Sequence, residues 1–474
     1  RISPGAVGLL GAAVAALVLV KVNVGAFALA AVVLACVVSY PALSNRAWLR
    51  LAVEIAFVLT PIALMTGKLG EPWARDYAAH VTIAALAVVI VLRTRTGGPR
   101  PSEELWWLGG GFVVTTAAIL AAAIGSGTSV GGLLDGVIGQ PLRQADAFSI
   151  QLDQSSRIHL LDALALSGAL AYAYAARPRG TTVGSPGWGV LTGLVSILVG
   201  VELALSVIGK TLPYDGLGLP AYQLSLLGFA WVALIPAPGL PAGTAFARLL
   251  LPPLAVMQAL HAYPVAGSQI AWSAFLIIPV GALCIANGVA GLARALGEGR
   301  ERRALAAFGL VVGLVLSLFV ANTTLRVPLR DNRAARDAAV PLELPGSSAV
   351  RVGEPEVELY QSISRAIDAN CSDLLMLPGM NSFYFWAQQD PPTRYNATSW
   401  MTLFDEDDQR RVIADTRSID GLCLLENPAI AAAWSGGEIP EGPLVRYLRR
   451  GFEPVVAIGD YQLLRREATV GGST

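Results

Sequence analysis

The sequence predicts a polytopic α-helical membrane bundle of about ten to eleven spans, followed by a small C-terminal α/β domain. The chain has 474 residues, of which 54% are hydrophobic and only 14% are charged, whereas soluble domains average about 25% charged residues. Apolar runs separated by short polar loops extend to Phe319, and charge returns at ordinary density from Asn322 onward. Two such regimes indicate two solvents, lipid and then water. We therefore assign residues 1–325 to a transmembrane domain and 326–474 to a soluble domain.

The apolar runs are taken as helices because backbone groups in lipid must be paired within their own segment. A helix needs roughly 20 apolar residues to cross the hydrocarbon core. The candidate spans are 5–20, 24–40, 49–66, 77–93, 105–125, 158–176, 188–208, 221–236, 246–261, 270–293 and 304–321. The first two, separated by residues 21–23, form either two short helices or one broken helix. The longest loop, 126–157, is predicted to contribute a short amphipathic helix on the membrane surface.

Arginine in the short loops predicts the orientation of the bundle. If the spans alternate, the arginine-bearing loops all fall on one side, which is then cytoplasmic; these loops hold Arg46, Arg50, Arg93, Arg95, Arg100, Arg177, Arg179, Arg294, Arg300, Arg302 and Arg303. The C-terminal domain falls on the opposite side. The expected location is therefore the inner (plasma) membrane, with multiple passes and an extracytoplasmic C-terminal domain.

The C-terminal domain begins with a charged linker over 326–348 and then alternates helices with strands. Helical spacing predicts helices at 354–369, 405–416 and 444–450, and short apolar runs predict strands at 374–377, 421–425, 455–458 and 461–465. Gly459 and Asp460 indicate a tight hairpin between the last two strands. This alternation is typical of a small α/β layer structure.

Several function classes are excluded by composition. The net charge is zero, so no basic field favours a nucleic-acid partner. The chain has three histidines, too few for a His-rich metal site, and no metal site is predicted. Cys36 and Cys284 lie in apolar runs as packing residues, whereas Cys371 and Cys423 of the C-terminal domain either form a disulfide or remain buried thiols. Because the sequence begins with Arg1 and runs directly into an apolar helix, we expect a fragment that lacks its true N-terminus.

The three lysines of the chain, Lys21, Lys68 and Lys210, all lie at predicted extracytoplasmic helix ends. There an ammonium group can meet a lipid phosphate or simply extend to the interface. The second explanation is favoured for Lys68 and Lys210, and the two are balanced for Lys21. Within the spans, Glu54 is expected to pair with the nearby Arg50, and Glu202 has no obvious local partner and remains a functional candidate.

Two polar segments outside the spans are candidate binding sites. Residues 261–269 contain a helix break surrounded by His261, Tyr263, Ser268 and Gln269, which can present polar groups to a ligand or form an ordinary turn. Residues 377–386 and 391–400 form the densest cluster of aromatic and amide side chains, including Asn381, Tyr384 and Trp386. Such groups suit sugars or the membrane interface, and packing beneath a loop is the equal alternative.

Several of these segments resemble segments of a known enzyme family. Residues 21–25 (KVNVG) resemble the K-x-N-x-G segment of bacterial polytopic glycosyltransferases of the C superfamily (GT-C). Residues 133–137, 140–143, 263–269 and 378–386 are similar to segments of the same group. The resemblance is spread over most of the chain in short pieces.

The resemblance implies an enzyme that transfers a sugar from a polyprenyl-phosphate donor to an acceptor on the extracytoplasmic face. Its general base is then an Asp or Glu in the first extracytoplasmic loop, upstream of this sequence, so no catalytic residue is assigned; Asp76 and Asp135 merely lie on the correct side. Lys21 is expected to contact the lipid phosphate, and Tyr263, Ser268 and Gln269 to line the sugar or lipid site. The remaining substrate-binding candidates are Asn23, Gln140, Arg143, His261, Asn381, Tyr384 and Trp386.

The expected partners are membrane lipid, the lipid-linked donor and an extracytoplasmic acceptor; no cofactor beyond the donor substrate is assigned. Two other functions compete with the enzyme. A transporter or flippase would show inverted repeats and broken helices with charges at mid-membrane, and the sequence shows no repeat. A non-catalytic membrane scaffold that binds a partner through the C-terminal domain is the third possibility.

Overall fold

The fold is taken from a computed structural model. It describes residues 3–95, 100–139, 149–152, 158–177, 186–207, 223–236, 244–266, 269–295, 300–435 and 437–466. The chain divides near Thr324 into two compact units. We call the part before this point the helical unit and the part that begins at Leu325 the C-terminal unit.

Ten principal helices build the part of the helical unit that the structure describes. They are α1 (Pro4–Val20), α2 (Val22–Ser39), α3 (Ala47–Met65), α4 (Pro72–Leu92), α5 (Glu103–Gly125), α6 (Ile158–Ala175), α7 (Pro186–Ser206), α8 (Ala245–Ala259), α9 (Ile277–Ala295) and α10 (Arg300–Ala321). Shorter α-helices occupy Pro41–Ser44, Val130–Leu134 and Gln269–Ala274; 3-10 helices occupy Thr66–Lys68, Leu227–Leu234 and Leu260–Ala262; π-helical turns occupy Asp135–Gly139 and Asn322–Arg326.

Eight helices among the described residues are long and apolar enough to cross a membrane, and Pro4–Val20, Val130–Gly139 and Ala307–Ala321 are shorter apolar helices. The prediction of a span over 221–236 is wrong for the described part, which forms the 3-10 helix Leu227–Leu234. All but one of its residues are buried, and the Trp231 indole donates to the Ala165 carbonyl at 3.1 Å. A segment that is apolar on every side packs inside a bundle rather than presenting one face to it.

The two ends of the helical unit have different ion pairs. At one end, which we call the arginine end, Arg93 of the α4 C-terminus bonds Glu54 of α3 at 2.5 Å, and Arg50 bonds the same carboxylate at 2.9 Å. The predicted pairing of Glu54 with Arg50 is thus confirmed, with Arg93 as a second partner. Arg100 lies over the ring of Phe246 at the start of α8, 4.7 Å from its centroid.

At the opposite end, which we call the lysine end, Lys21 follows α1 and Lys68 follows α3. Lys68 pairs with Glu71 at 3.4 Å, so this lysine has a local structural partner. Lys21 and Lys68 therefore lie at the end opposite Glu54 and its two arginines, and Arg75 in the first turn of α4 also lies at the lysine end. This placement agrees with alternating passes of the helices, which bring every second connection to the same end.

Helices α7 and α9 approach each other through glycines. A Cβ atom on Gly288 would lie 2.5 Å from the Gly193 carbonyl oxygen, and one on Gly200 would lie 2.6 Å from the Gly281 carbonyl oxygen. Small residues at such positions let two backbones come into contact, which is a common way for helices to associate in lipid.

We expect Gly288→Ala to destabilise the helical unit by about 1–3 kcal/mol, because the new methyl group meets backbone that cannot rotate away. Gly291→Ala, on the same helix, is the matched control, since its Cβ would lie 3.6 Å from the nearest atom, the Gly189 carbonyl oxygen. Thermal unfolding of the purified protein in detergent measures the difference. Equal midpoints for the two variants would contradict the packing described here.

The C-terminal unit is a small α/β structure. Its elements are α11 (Val327–Ala338), β1 (Val340–Pro341), β2 (Arg351–Val352), α12 (Glu354–Asn370), β3 (Asp373–Leu377), α13 (Ser382–Trp386), α14 (Trp400–Leu403), α15 (Glu406–Thr416), β4 (Leu422–Glu426), α16 (Pro428–Trp434), α17 (Pro443–Arg450), β5 (Phe452–Ile458) and β6 (Tyr461–Arg466). The charged segment taken as a linker is helical in α11, because alanine and arginine favour helix and a proline is tolerated in the first turn.

Its four-stranded sheet has the order β3-β4-β6-β5, with β3 parallel to β4 and the other pairs antiparallel. Successive side chains of a strand point to opposite faces. Leu375 and Leu377 accordingly join a core with Val412 of α15, and Leu374 and Met376 join a second core on the other face. The predicted strands and helices are confirmed in type and position.

Two local features hold this sheet together. The β5–β6 hairpin turns at Gly459, whose φ of +58° is readily adopted by glycine. Cys371 and Cys423 form a disulfide with a Cα–Cα distance of 5.4 Å, which resolves the two alternatives left by the sequence. Cys36 and Cys284 are free and buried, as predicted.

Candidate functional site

The lysine end of the helical unit contains a break between α1 and α2. Lys21 has an extended backbone, with φ −148° and ψ 95°, so one helix ends and the next begins around a single residue. Gly25 makes the break possible, because a Cβ atom there would lie 2.1 Å from the Val18 backbone nitrogen. The lysine and glycine of the K-x-N-x-G segment are thereby explained locally, and the break leaves Lys21 exposed.

Lys21 meets His261, a residue 240 positions later in the chain. The Lys21 Nζ and His261 Nε2 atoms are 3.2 Å apart. An ammonium group has donors and no acceptor, so Nε2 accepts and a neutral imidazole carries its hydrogen on Nδ1. His261 is 7% exposed, and its Nδ1 is buried without a hydrogen-bond partner among the described residues. The pair therefore combines an exposed cation, which suits an anionic oxygen, with a buried imidazole that orients it.

His261 is held in place by neighbours on the same helical turn. The Gln258 amide donates to the Val24 carbonyl at 2.9 Å, which ties α8 to the start of α2. The Tyr77 hydroxyl of α4 donates to the Ala259 carbonyl at 2.6 Å. Because these anchors come from two different helices, the distance between Lys21 and His261 is set by the packing of the bundle.

A second polar cluster at the lysine end links α4 to α6. His80 is fully buried, with Nδ1 at 2.7 Å from Asp162 Oδ1 and Nε2 at 3.0 Å from the Leu224 carbonyl. The other Asp162 oxygen lies 3.3 Å from His159 Nδ1, and His159 Nε2 lies 3.5 Å from Asp76. These four side chains connect a buried imidazole to a partly exposed carboxylate, an arrangement that can carry a proton between them.

Sequence reasoning noted Asp76 on the extracytoplasmic side but did not single out His80. The usable signal was an ionisable residue inside a predicted apolar span, since such groups are functional candidates by default. Among the described residues, no group of three or more His, Cys, Asp or Glu side chains is arranged to hold a metal ion.

The other predicted residues of the helical unit have different surroundings. Asn23 accepts from the Val24 amide through its side chain at 2.9 Å, so it supports the start of α2. Tyr263 is 4% exposed and packs against Trp73, with ring centroids 6.0 Å apart, which makes it a core residue. Gln269 begins a short helix, Gln269–Ala274, and its backbone carbonyl accepts from Ser273. The predictions for Gln140, Arg143, Ser268 and Lys210 concern residues outside the described part of the chain.

In the C-terminal unit, the predicted aromatic and amide cluster separates into core and surface. Trp386 packs between Tyr360 and Phe383, with centroid distances of 5.2 and 5.1 Å. The Tyr384 hydroxyl donates to the Leu374 carbonyl at 3.0 Å, and burial raises the pKa of this hydroxyl. Packing thus accounts for Trp386. Asn381 and Tyr384 line a surface pocket of about 330 Å³.

No family model, curated protein or solved structure significantly matches this chain. The interpretation of its sites therefore depends on their chemistry.

Proposed function

We propose that the protein is a membrane glycosyltransferase that uses a sugar carried on a polyprenyl phosphate, and that Lys21, oriented by His261, holds the phosphate. The observation that carries this proposal is the 3.2 Å contact of these two side chains. The lipid tail of such a donor lies among apolar helices while its charge stays at the helix ends, where these two side chains are. The resemblance of residues 21–25 to GT-C enzymes supports the same substrate class.

In this proposal Lys21 neutralises a phosphate oxygen, and His261 positions the Lys21 ammonium group by accepting from it through Nε2. The neutral state of His261 matters, because its second nitrogen accepts from Lys21 and so orients the ammonium group. A base for the acceptor hydroxyl is expected upstream of Lys21, as the resemblance implies. The partly exposed pair of His159 and Asp76 is a second candidate for proton transfer at the same end of the bundle.

The test is binding of a short polyprenyl monophosphate to the purified chain in lipid nanodiscs. Lys21→Ala should weaken binding by about ten- to a hundredfold, because it removes a charge-assisted contact. Lys68→Ala is the matched control, since Lys68 lies at the same end but already pairs with Glu71. Unchanged affinity for Lys21→Ala, or an equal loss for Lys68→Ala, would remove the basis for this site.

A proton-coupled transporter is the second candidate function. The observation that favours it is the chain of His80, Asp162, His159 and Asp76, because buried ionisable groups in helical bundles often carry protons in transporters. Flux of the lipid-linked substrate in proteoliposomes, driven by a pH gradient and lost in His80→Gln, would support transport. Release of free sugar from the donor without a gradient would support the transferase.

A further inference from the structure

The C-terminal unit contains a second site, separate from the lysine end. It is a pocket of about 330 Å³ lined by Asn381, Tyr384, Phe385, Gln388, Gln389, Asp390, Pro391 and Asn396. Its size is at the lower end of the range of about 300–1,000 Å³ for small-molecule sites. A ligand of one or two sugar rings is of the right scale.

Two ends of the segment 379–398 form the pocket together. The Gly379 amide donates to the Thr398 carbonyl at 2.8 Å, and a Cβ atom on Gly379 would lie 2.2 Å from the Ala397 carbonyl oxygen. This close backbone approach places Asn381, from the turn after β3, on the same pocket wall as Asn396. The two aromatic and amide segments singled out in the sequence therefore share one site.

The lining has the chemistry of a neutral polyhydroxyl binder. Its polar side chains are the amides of Asn381, Gln388, Gln389 and Asn396 and the carboxylate of Asp390, with no lysine or arginine. An amide both donates and accepts hydrogen bonds, which matches a hydroxyl group that does the same. A phosphate or nucleotide would require cations, so these ligands do not fit this pocket.

Two further observations point to a ligand. The Asn381 Oδ1 atom beside the pocket is buried and has no hydrogen-bond partner among the described residues, so it is an unsatisfied acceptor next to the pocket. Phe385 is 69% exposed and offers an apolar face of the kind that packs against sugar C–H groups.

Gln388, at the pocket wall, has a left-handed backbone with φ +54°. Glycine adopts this conformation readily, whereas a residue with a Cβ atom is strained there. Backbone outliers of this kind are frequent at binding sites.

We infer that this pocket binds a neutral saccharide, and that the saccharide is part of the acceptor. The acceptor role rests on the proposed function, whereas saccharide binding is tested independently of it. The deeper recess beside the pocket, lined by Met376, Tyr395 and Trp400, holds only about 20 Å³, enough for about one water molecule, so the sugar occupies the outer pocket.

The experiment uses the full chain in nanodiscs and a panel of neutral mono- and disaccharides, followed by saturation-transfer NMR and titration. Wild type should bind at least one member of the panel. Asn381→Ala and Asn396→Ala should each weaken that binding by about three- to tenfold. Gln462→Ala, which removes an exposed amide of β6 outside the pocket, should leave it unchanged.

Polyprenyl phosphate binding is measured on the same preparations. If saccharide binding persists when phosphate binding fails, the proposed function falls and the saccharide site remains. If no saccharide binds, or if the double variant Asn381→Ala/Asn396→Ala binds as wild type does, the saccharide site is overturned whatever the phosphate result. Thermal unfolding of each variant confirms that the C-terminal unit is folded.

Discussion

Replacing Asp162 with alanine should destabilise the helical unit by about 1–3 kcal/mol, because it leaves a buried nitrogen of His80 without its hydrogen-bond partner. Asp162 is 1% exposed and His80 is fully buried, so no water can replace the lost carboxylate. The Leu224 carbonyl keeps a hydrogen on His80 Nε2, which leaves Nδ1 facing an empty apolar site. The unfolding midpoint in detergent should fall accordingly.

The comparison that isolates the pair is a double-mutant cycle with His80→Leu. Because removing both polar partners leaves neither one unpaired, the double variant should recover part of the stability that Asp162→Ala loses. His159→Gln is the control for the outer part of the same network. His159 is partly exposed, so we expect its replacement to cost less than about 1 kcal/mol. Additive losses in the cycle would show that His80 and Asp162 do not act as a pair.

Removing the disulfide should destabilise the C-terminal unit by roughly 4 kcal/mol in the chain-entropy estimate. Cys371 and Cys423 are 52 residues apart in sequence, so the bond restricts a long loop of the unfolded chain. Cys423 also lies in the central strand β4 and is fully buried, which keeps the bond inside the fold. The double variant Cys371→Ala/Cys423→Ala should show a lower unfolding midpoint for this unit.

The matched control is Cys36→Ala/Cys284→Ala, which removes the two free cysteines of the helical unit. Wild type and this control should both lose stability when a reductant is added, whereas the disulfide variant should be insensitive to it. A reductant effect that persists without Cys371 and Cys423 would contradict the pairing. The bond also matches an oxidising compartment, which is where the arginine distribution predicts the C-terminal domain to lie.

The sequence predicted correctly those elements that depend on residues close together in the chain. Strand β4 and helix α15 follow from runs of apolar or charged residues, and the turn at Gly459 follows from two adjacent residues. The helix ends predicted around Lys21 and Lys68 also fall at one end of the bundle. These features depend on periodicity, on hydropathy and on residues next to each other in the chain, all of which can be read directly.

The candidate sites were less predictable, because their members are distant in sequence. Lys21 and His261 were each suspected, but nothing local indicated that they touch. Tyr384 and Trp386 were suspected as sugar ligands: Trp386 packs against Tyr360 and Phe383, whereas Tyr384 bonds the Leu374 carbonyl and also lines the pocket. An aromatic residue has the same local signature in a core as in a binding site, and only its neighbours distinguish the two.

The sequence by itself determined the helical apolar part, the α/β character of the C-terminal part and the placement of Lys21 and Lys68 at one end of the bundle. Each of these follows from how one segment interacts with its solvent. Tertiary structure alone decided that His80 pairs with Asp162, that Leu227–Leu234 packs inside the bundle, and that Asn381 lines a pocket with Asn396. These outcomes depend on which segments meet after folding, since burial and hydrogen bonding are properties of contacts between distant residues rather than of any one segment.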